Sequence, residues 1–110
     1  MKIVLCICFS AKNSLYHKKI LSNLNEINTP SGCKLSFYLI TNDNFKVLKN
    51  LVSTIVKNFE LEIKIFKTAK KDIPSTRNVF LKVIKNKKID YIGFLDDDCK
   101  IKKNWVFDMV

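Results

Sequence analysis

The amino-acid sequence predicts an α/β protein whose four strands form one open, mainly parallel sheet connected by three crossover helices. Two features of the sequence lead to this prediction. Short β-favouring apolar runs alternate with longer stretches in which apolar residues recur every three or four positions. The chain of 110 residues is also 47% hydrophobic and 27% charged, which fits one globular domain and excludes a disordered protein.

The first half of the chain contains two runs typical of buried strands, each followed by a helical pattern. Ile3 to Phe9 is a continuous β-favouring run, as expected of a strand covered on both faces. Leu35 to Thr41 predicts the second strand, and Asn42 to Asn44 then offer a turn and a helix N-cap. Thr29 to Gly32 separate the first helix from this strand. The two helices are predicted from the spacing of Leu15, Tyr16, Ile20, Leu21, Leu24 and Ile27, and of Leu48, Leu51, Val52, Ile55, Val56 and Phe59.

The second half continues the alternation with a different kind of strand. Apolar and charged residues alternate over Glu60 to Lys67, which predicts a half-exposed, lysine-rich strand at an edge of the sheet. Pro74 precedes a third helical pattern, which ends in the basic stretch Lys85 to Lys88. Tyr91 to Leu95 predicts a fourth strand that runs directly into the three aspartates at 96 to 98. Together these elements predict a truncated, Rossmann-like sheet.

Ligands of open parallel sheets bind beyond the carboxyl ends of the strands. In this sequence those ends are Ser10, Thr41 to Asn44, Thr68 to Lys71 and the aspartate triplet. Three adjacent aspartates are electrostatically costly unless a cation or solvent relieves their repulsion. If strand geometry persists, Asp96 and Asp98 share one side, and their oxygens suit Mg²⁺ or Mn²⁺. The alternative is an acidic turn that caps the next helix.

The net charge of +10 has two explanations. It could indicate nucleic acid or an anionic membrane surface as a partner. However, only Arg77 is an arginine, and the lysines accompany abundant asparagine and isoleucine, as an AT-rich coding bias would produce. Because nucleic-acid readers use arginine for bidentate base contacts, nucleic acid is not an expected partner.

The cysteines form neither a disulfide framework nor a zinc pattern. Cys6 and Cys8 lie two positions apart in an apolar run, whereas Cys33 and Cys99 are distant, and no C-x-x-C pair exists. We expect reduced, largely buried thiols. No apolar run reaches the roughly 18 residues of a membrane span, and the N-terminus lacks signal-peptide features, so a cytoplasmic location is expected.

A longer pattern around the aspartates is more specific. Residues 72–78 are Asp-Ile-Pro-Ser-Thr-Arg-Asn, residues 90–98 are Asp-Tyr-Ile-Gly-Phe-Leu-Asp-Asp-Asp, and Asn104-Trp105 follow. This set resembles the donor-binding half of the GT-A-type, family 2 nucleotide-sugar glycosyltransferases. Members of that family typically show a small residue and Arg-Asn opening a helix, a Tyr-Ile-x-Phe-Leu/Ile strand closed by Asp-x-Asp, and a later tryptophan. The resemblance extends more faintly to Cys6-Ile7-Cys8 and the polar loop after them.

The resemblance implies a role for each matching residue. Asp98 would coordinate the Mg²⁺ or Mn²⁺ that bridges the donor diphosphate, and Asp96 would share the metal or hydrogen-bond the ribose. Asp97 would lie in the donor site with a less defined role. Arg77 would reach the donor's base or phosphates, for which a planar, permanently charged fork is suited, and Asn78 would support the helix start. The alternative for Arg77 is an exposed cation among many.

Two positions depart from the family pattern. Phe9-Ser10 stand where the family usually has Thr-Tyr after the first strand, so Ser10 takes the place of the nucleotide contact. Thr41-Asn42-Asp43 stand where the second strand commonly ends in Asp. Asp43 either takes over the contact to the base or forms an Asx turn.

The activity implied by the resemblance is metal-dependent, inverting transfer of a sugar from a nucleotide-diphosphate donor to a saccharide or lipid-linked acceptor. The catalytic base of such enzymes follows the aspartate motif, so it is expected beyond Val110. Residues 1–110 would then be the N-terminal donor-binding part, with the acceptor-binding part absent. Peripheral association with the inner face of the membrane is a further expectation, because a lysine-rich face attracts anionic lipid. The alternative is a small basic module that binds nucleic acid or an anionic membrane without catalysis.

Two residues outside these motifs have mainly structural explanations. His17 stands beside Lys18 and Lys19 on the first helix, so we expect it on a solvated face. Trp105 belongs to a further helix predicted over Asn104 to Val110, where it either anchors that helix in the core or contacts the donor or acceptor.

Overall fold

The structure confirms the predicted order of strands and helices. It is a computed structural model, and it describes residues 1–10, 14–41, 45–58, 60–68 and 73–101. The helix predicted over 104–110 lies outside the described residues. The elements are β1 (Lys2–Phe9), α1 (Ser14–Leu24), β2 (Lys34–Thr41), α2 (Phe45–Ile55), β3 (Leu61–Lys67), α3 (Ile73–Ile84) and β4 (Tyr91–Asp96).

The four strands form one parallel sheet in the order β3-β2-β1-β4. Leu5 in the middle of β1 pairs with Phe37 of β2 on one side and with Gly93 of β4 on the other. β1 and β2 are the central strands and are buried along most of their length, as their continuous apolar runs predict. β3 is an edge strand, which confirms the prediction made from its alternating charges.

Helices cover both faces of the sheet. One core cluster joins α1 and α2 to the side of the sheet that carries Leu5, Phe37 and Leu39. The other packs α3, through the fully buried Phe80, against Tyr38 and neighbouring residues of the opposite face. None of the helices in the described ranges is long and apolar enough to cross a bilayer.

The strand order reverses direction between β1 and β4. The chain moves from β1 outward to β2 and β3, then returns through α3 to place β4 on the other side of β1. In open parallel sheets ligands bind at such a switch point, beyond the carboxyl ends of the two neighbouring strands. Ser10 follows β1 there, and the aspartate triplet ends β4.

The helices differ from the sequence-based predictions in one boundary and in which residues of α1 are buried. α3 begins at Ile73, so Pro74 lies within its first turn, where the missing backbone N–H costs nothing. In α1, Leu15 is 88% exposed and Tyr16 is 46% exposed, so their predicted place on the apolar face is wrong. The buried stripe of α1 consists of Ile20, Leu21 and Leu24.

β4 is the second edge strand, and it exposes apolar side chains. Among the described strands it pairs with β1 alone. Tyr91 is 50% exposed, Ile92 47% and Phe94 38%. Its amino end is fixed by the Lys2 backbone N–H, which donates to Oδ2 of Asp90 at 2.6 Å, and by the Asp90 N–H, which donates to the Lys2 carbonyl at 2.9 Å. β4 is therefore anchored at the end opposite the aspartates.

Candidate functional site

The aspartate triplet divides into one buried and two exposed side chains. β4 ends at Asp96, and Asp97 and Asp98 lie in a turn, so strand alternation stops at Asp96. Asp97 is 3% exposed, whereas Asp96 and Asp98 are both exposed to solvent. The turn itself is closed by the Cys99 N–H, which donates to the Asp96 carbonyl at 3.3 Å.

Asp97 is held between the end of β1 and the helix α1. The backbone N–H of Ser10 donates to Oδ2 of Asp97 at 2.9 Å. Nε2 of His17 lies 2.9 Å from the same oxygen, and because a carboxylate only accepts, the imidazole is the donor. The two hydrogen bonds compensate the burial of a charge that would otherwise be costly.

His17 is not on a solvated face, so that prediction is wrong. Its side chain is 12% exposed, and its ring packs edge-on against Phe9 with centroids 4.7 Å apart. The spacing of α1 contained the signal for this position. His17 lies three and four positions before Ile20 and Leu21, which places all three on one face of the helix. Lys18 and Lys19, which follow it, lie on the exposed side of α1, so they do not indicate the environment of His17.

A cleft of about 610 Å³ opens beside the turn. It lies between the outer side of α1 and the residues that follow β4, and it is lined in part by Tyr16, Lys18, Lys19, Asp98 and Lys100. Its lining also includes Glu26, so three lysines stand beside two carboxylates and the formal charge of the lining is only slightly positive.

Arg77 and Asn78 lie on the other face of the sheet, and both are exposed on α3. The guanidinium of Arg77 stands over the ring of Phe94 with its central carbon 4.9 Å from the centroid. Stacking of this kind fixes a guanidinium while its N–H donors remain available. Asp96 follows Phe94 by two positions and pairs with Cys8 of β1, so Asp96 belongs to this same face.

Two thiols lie under this region, and their pKa values move in opposite directions. The hydrogen bond with Cys8 and burial both raise the pKa of the Cys6 thiol. The hydrogen bond from Cys6 lowers the pKa of Cys8, and the positive charge of Arg77 acts in the same direction against burial. All four cysteines are free thiols; Cys6 is buried, whereas Cys8, Cys33 and Cys99 are partly exposed, so the expectation of largely buried thiols holds for Cys6 alone.

The described residues contain part of the predicted donor site. The structure brings Ser10 and Asp97 into contact through the Ser10 backbone, and it places Asp96 and Arg77 on one face. Asp98 lines the cleft on the α1 side. Asp43 lies outside the described residues, as do Lys71 and Trp105.

Within the described ranges, no group of three or more His, Cys, Asp or Glu side chains is arranged to hold a metal ion. Mg²⁺ and Mn²⁺ do not require such a group, because they are commonly bound through one or two carboxylates, several waters and substrate phosphates. Asp96 and Asp98 are both solvent-accessible, but Asp96 lies on the α3 face at the end of β4 and Asp98 lines the cleft on the α1 side, so they do not share one side as strand alternation would require. In chemistry, though not by a shown arrangement, an exposed carboxylate at either position suits a hard cation that completes its shell with waters and phosphate oxygens.

Solved structures of a glycosyltransferase have a similar fold. S. aureus TarS aligns with a TM-score of 0.72 at 18% identity, over 99% of this chain and 19% of that one. The structure of S. aureus TarS 1-349 gives a TM-score of 0.71 at 18% identity, over 99% of this chain and 31% of that one. The chain thus spans less than a third of either protein. No protein-family profile and no curated protein matches it. At this identity the likeness concerns the fold alone, and this chain shares the α/β arrangement of TarS.

Proposed function

We propose that this chain is the donor-binding part of a metal-dependent, inverting glycosyltransferase of the GT-A type, family 2. One observation carries the proposal. The carboxyl ends of β1 and β4 meet at the switch point of the sheet, and the turn at that point presents Asp96 and Asp98 to solvent. The glycosyltransferase-like fold gives this arrangement its context.

Asp96 and Asp98 are the proposed ligands of Mg²⁺ or Mn²⁺, which would share the diphosphate of a nucleotide sugar. Arg77 is the proposed phosphate or base contact, because its stacking on Phe94 orients the guanidinium on the face that also carries Asp96. A planar fork binds phosphate oxygens through two parallel N–H groups, which a lysine cannot do. Asn78 would support the first turns of α3, and Ser10 and Asp43 would border the nucleotide.

The chemistry of the proposed reaction depends on the leaving group. Cleavage of the bond between the sugar and the diphosphate leaves negative charge on a phosphate oxygen. A bound divalent cation supplies Lewis-acid stabilisation of that charge. The lysines that line the cleft add a positive field around the same region. None of the described residues is assigned as the base that activates the acceptor hydroxyl.

The proposed acceptor is a saccharide or a lipid-linked saccharide. A cytoplasmic enzyme that associates with the inner face of a membrane would fit such an acceptor, and the net charge of +10 favours contact with anionic lipid. Flotation with vesicles that contain an anionic lipid tests this part, since binding should weaken as salt is added.

Calorimetric titration of the purified protein with nucleotide sugars tests the central proposal. UDP-sugars, GDP-sugars and dTDP-sugars should be compared with and without Mn²⁺. We expect metal-dependent binding that Asp98→Asn and Arg77→Lys each weaken by about 10-fold or more, because each removes a charge-assisted contact. Asp90→Asn is the matched control, since it removes the same charge at the opposite end of β4.

Binding without metal dependence, or binding that Asp98→Asn and Arg77→Lys leave unchanged, would contradict the proposal. The exposed lysines favour a second candidate, a basic binding module for nucleic acid or anionic lipid. That module predicts affinity for a nucleic acid that falls steeply with salt and does not change in Asp98→Asn. A gel-shift series over salt concentration separates the two candidates.

A further inference from the structure

Asp97 differs from its two neighbours because its carboxylate is engaged inside the protein. It is 3% exposed, and Oδ2 receives both the Ser10 N–H and Nε2 of His17 at 2.9 Å. These contacts join residues that are 87 and 80 positions apart in sequence. The two donors fix the orientation of the buried carboxylate, and one of them, His17, is itself held by its edge-on packing against Phe9.

A second contact ties the same part of the chain to α1. The backbone N–H of Ile101 donates to Oδ1 of Asn23 at 2.6 Å. The side chain of Ile101 is 4% exposed and belongs to the core cluster that includes Leu21 and Leu24 of α1. The segment 97–101 is therefore attached to α1 at both ends, once through His17 and once through Asn23.

The residues between these two attachments face outward. Asp98 and Lys100 line the cleft, while Asp97 and Ile101 point into the protein. Fixing both ends of a short segment removes conformational freedom that a ligand would otherwise have to remove on binding. Groups that hold a metal-binding carboxylate in place commonly contribute strongly to metal affinity without touching the metal.

We propose that His17 and Asp97 are positioning residues that hold the aspartate turn on α1 and so preorganise Asp96 and Asp98 for their ligand. Asp97 then acts through the fold, which gives a specific role to the residue that the family resemblance left without a defined one. Asn23 supports the far end of the same segment. The inference rests on the proposed function for the ligand, but the attachment of the turn can be measured without any ligand.

Two substitutions of His17 separate positioning from packing. His17→Gln keeps an N–H donor near the position of Nε2, whereas His17→Leu keeps an apolar side chain and removes the donor. Ile20→Val is the matched control, because it weakens packing on the same buried face of α1 without touching Asp97. Mn²⁺ alone and Mn²⁺ with UDP are the probes, and affinity is measured by calorimetry beside the melting temperature of each variant.

We expect His17→Leu to weaken Mn²⁺ binding by about 10- to 100-fold, the range found for residues that orient metal ligands. His17→Gln should restore binding to within about 3-fold of the wild type, a difference of less than 1 kcal/mol. Ile20→Val should lower the melting temperature by about as much as His17→Leu does, but it should leave the affinity for Mn²⁺ unchanged. If His17→Leu binds Mn²⁺ as tightly as the wild type, or if Gln gives no rescue, the proposal is overturned.

Amide hydrogen exchange distinguishes failure of the inference from failure of the proposed function. In His17→Leu, exchange at residues 97–101 should accelerate relative to the rest of β4, and in His17→Gln it should not. If the wild type binds neither probe, the proposed function fails. In that case unchanged exchange in His17→Leu overturns the positioning role, and accelerated exchange supports it.

Discussion

The substitution Gly93→Ala should destabilise the fold by overpacking the contact between β4 and the Leu5 side chain of β1. A Cβ built on Gly93 would lie 2.9 Å from Cδ2 of Leu5, its partner in the parallel register. Carbon atoms in contact prefer about 3.5–4.0 Å, so the overlap is roughly 0.6 Å or more. Leu5 is 2% exposed and lies between Phe37 and Gly93, so its side chain cannot turn into solvent.

Overpacking of this kind costs about 1–3 kcal/mol. For a domain of this size that corresponds to a fall in melting temperature of roughly 4–12 °C. Urea denaturation followed by circular dichroism gives the free energy of unfolding, and a double-mutant cycle with Leu5→Ala identifies the cause. Leu5→Ala alone should cost about 2–5 kcal/mol. In the Gly93→Ala background it should cost less, by about 0.5–3 kcal/mol, because the new methyl group occupies part of the vacated space.

Gly32→Ala is the control for this cycle. A Cβ at Gly32 meets no atom within 4 Å, but the backbone there has a φ of +82°, which disfavours alanine. Gly32→Ala should therefore lower the stability through backbone strain, and its change in unfolding free energy should add to that of Leu5→Ala. Additive effects of Gly93→Ala and Leu5→Ala, within about 0.5 kcal/mol, would refute the close contact between β4 and β1.

Two further predictions follow from pKa shifts. Burial raises the pKa of Glu62, but hydrogen bonds with Lys34 and Ser36 outweigh it and hold the pKa below its ordinary value of 4.5. Stability from this carboxylate is present above about pH 4.5 and lost as pH falls through the lower, folded-state value. In Glu62→Gln the free energy of unfolding should fall less steeply as the pH is lowered through that range than it does in the control Glu26→Gln. Identical pH profiles for the two variants would contradict this prediction. Iodoacetamide at neutral pH should alkylate the half-buried Cys8, whose pKa is lowered, before Cys6, whose pKa is raised, and peptide mass spectrometry locates the label. Labelling of Cys6 in the folded protein as fast as Cys8, or faster, would refute this order of labelling.

Much of the fold could be predicted because it is encoded locally. Continuous apolar runs predicted the central strands β1 and β2, and the alternation of Leu61, Ile63 and Ile65 with charged residues predicted the edge position of β3. These patterns report which faces of an element are covered. The boundaries differed by a few residues, since helix and strand ends depend on neighbouring contacts as well as on sequence.

The candidate site was predicted less completely than the fold. The sequence located the aspartates at the carboxyl end of β4, and the structure puts them at the switch point beside Ser10. The buried position of His17 was not predicted, because the adjacent lysines suggested a solvated helix face. Its spacing to Ile20 and Leu21 placed it on the buried stripe, which was the available signal.

The sequence by itself determined the order of strands and helices, the edge position of β3 and the place of the acidic residues in the chain. Only the tertiary structure decided that β4 lies against β1, that Asp97 turns inward while Asp96 and Asp98 stay exposed, and that His17 is the partner of Asp97. The physical reason is distance along the chain. Periodicity and propensity act over a few residues, whereas a hydrogen bond across 80 positions exists only once the sheet has assembled.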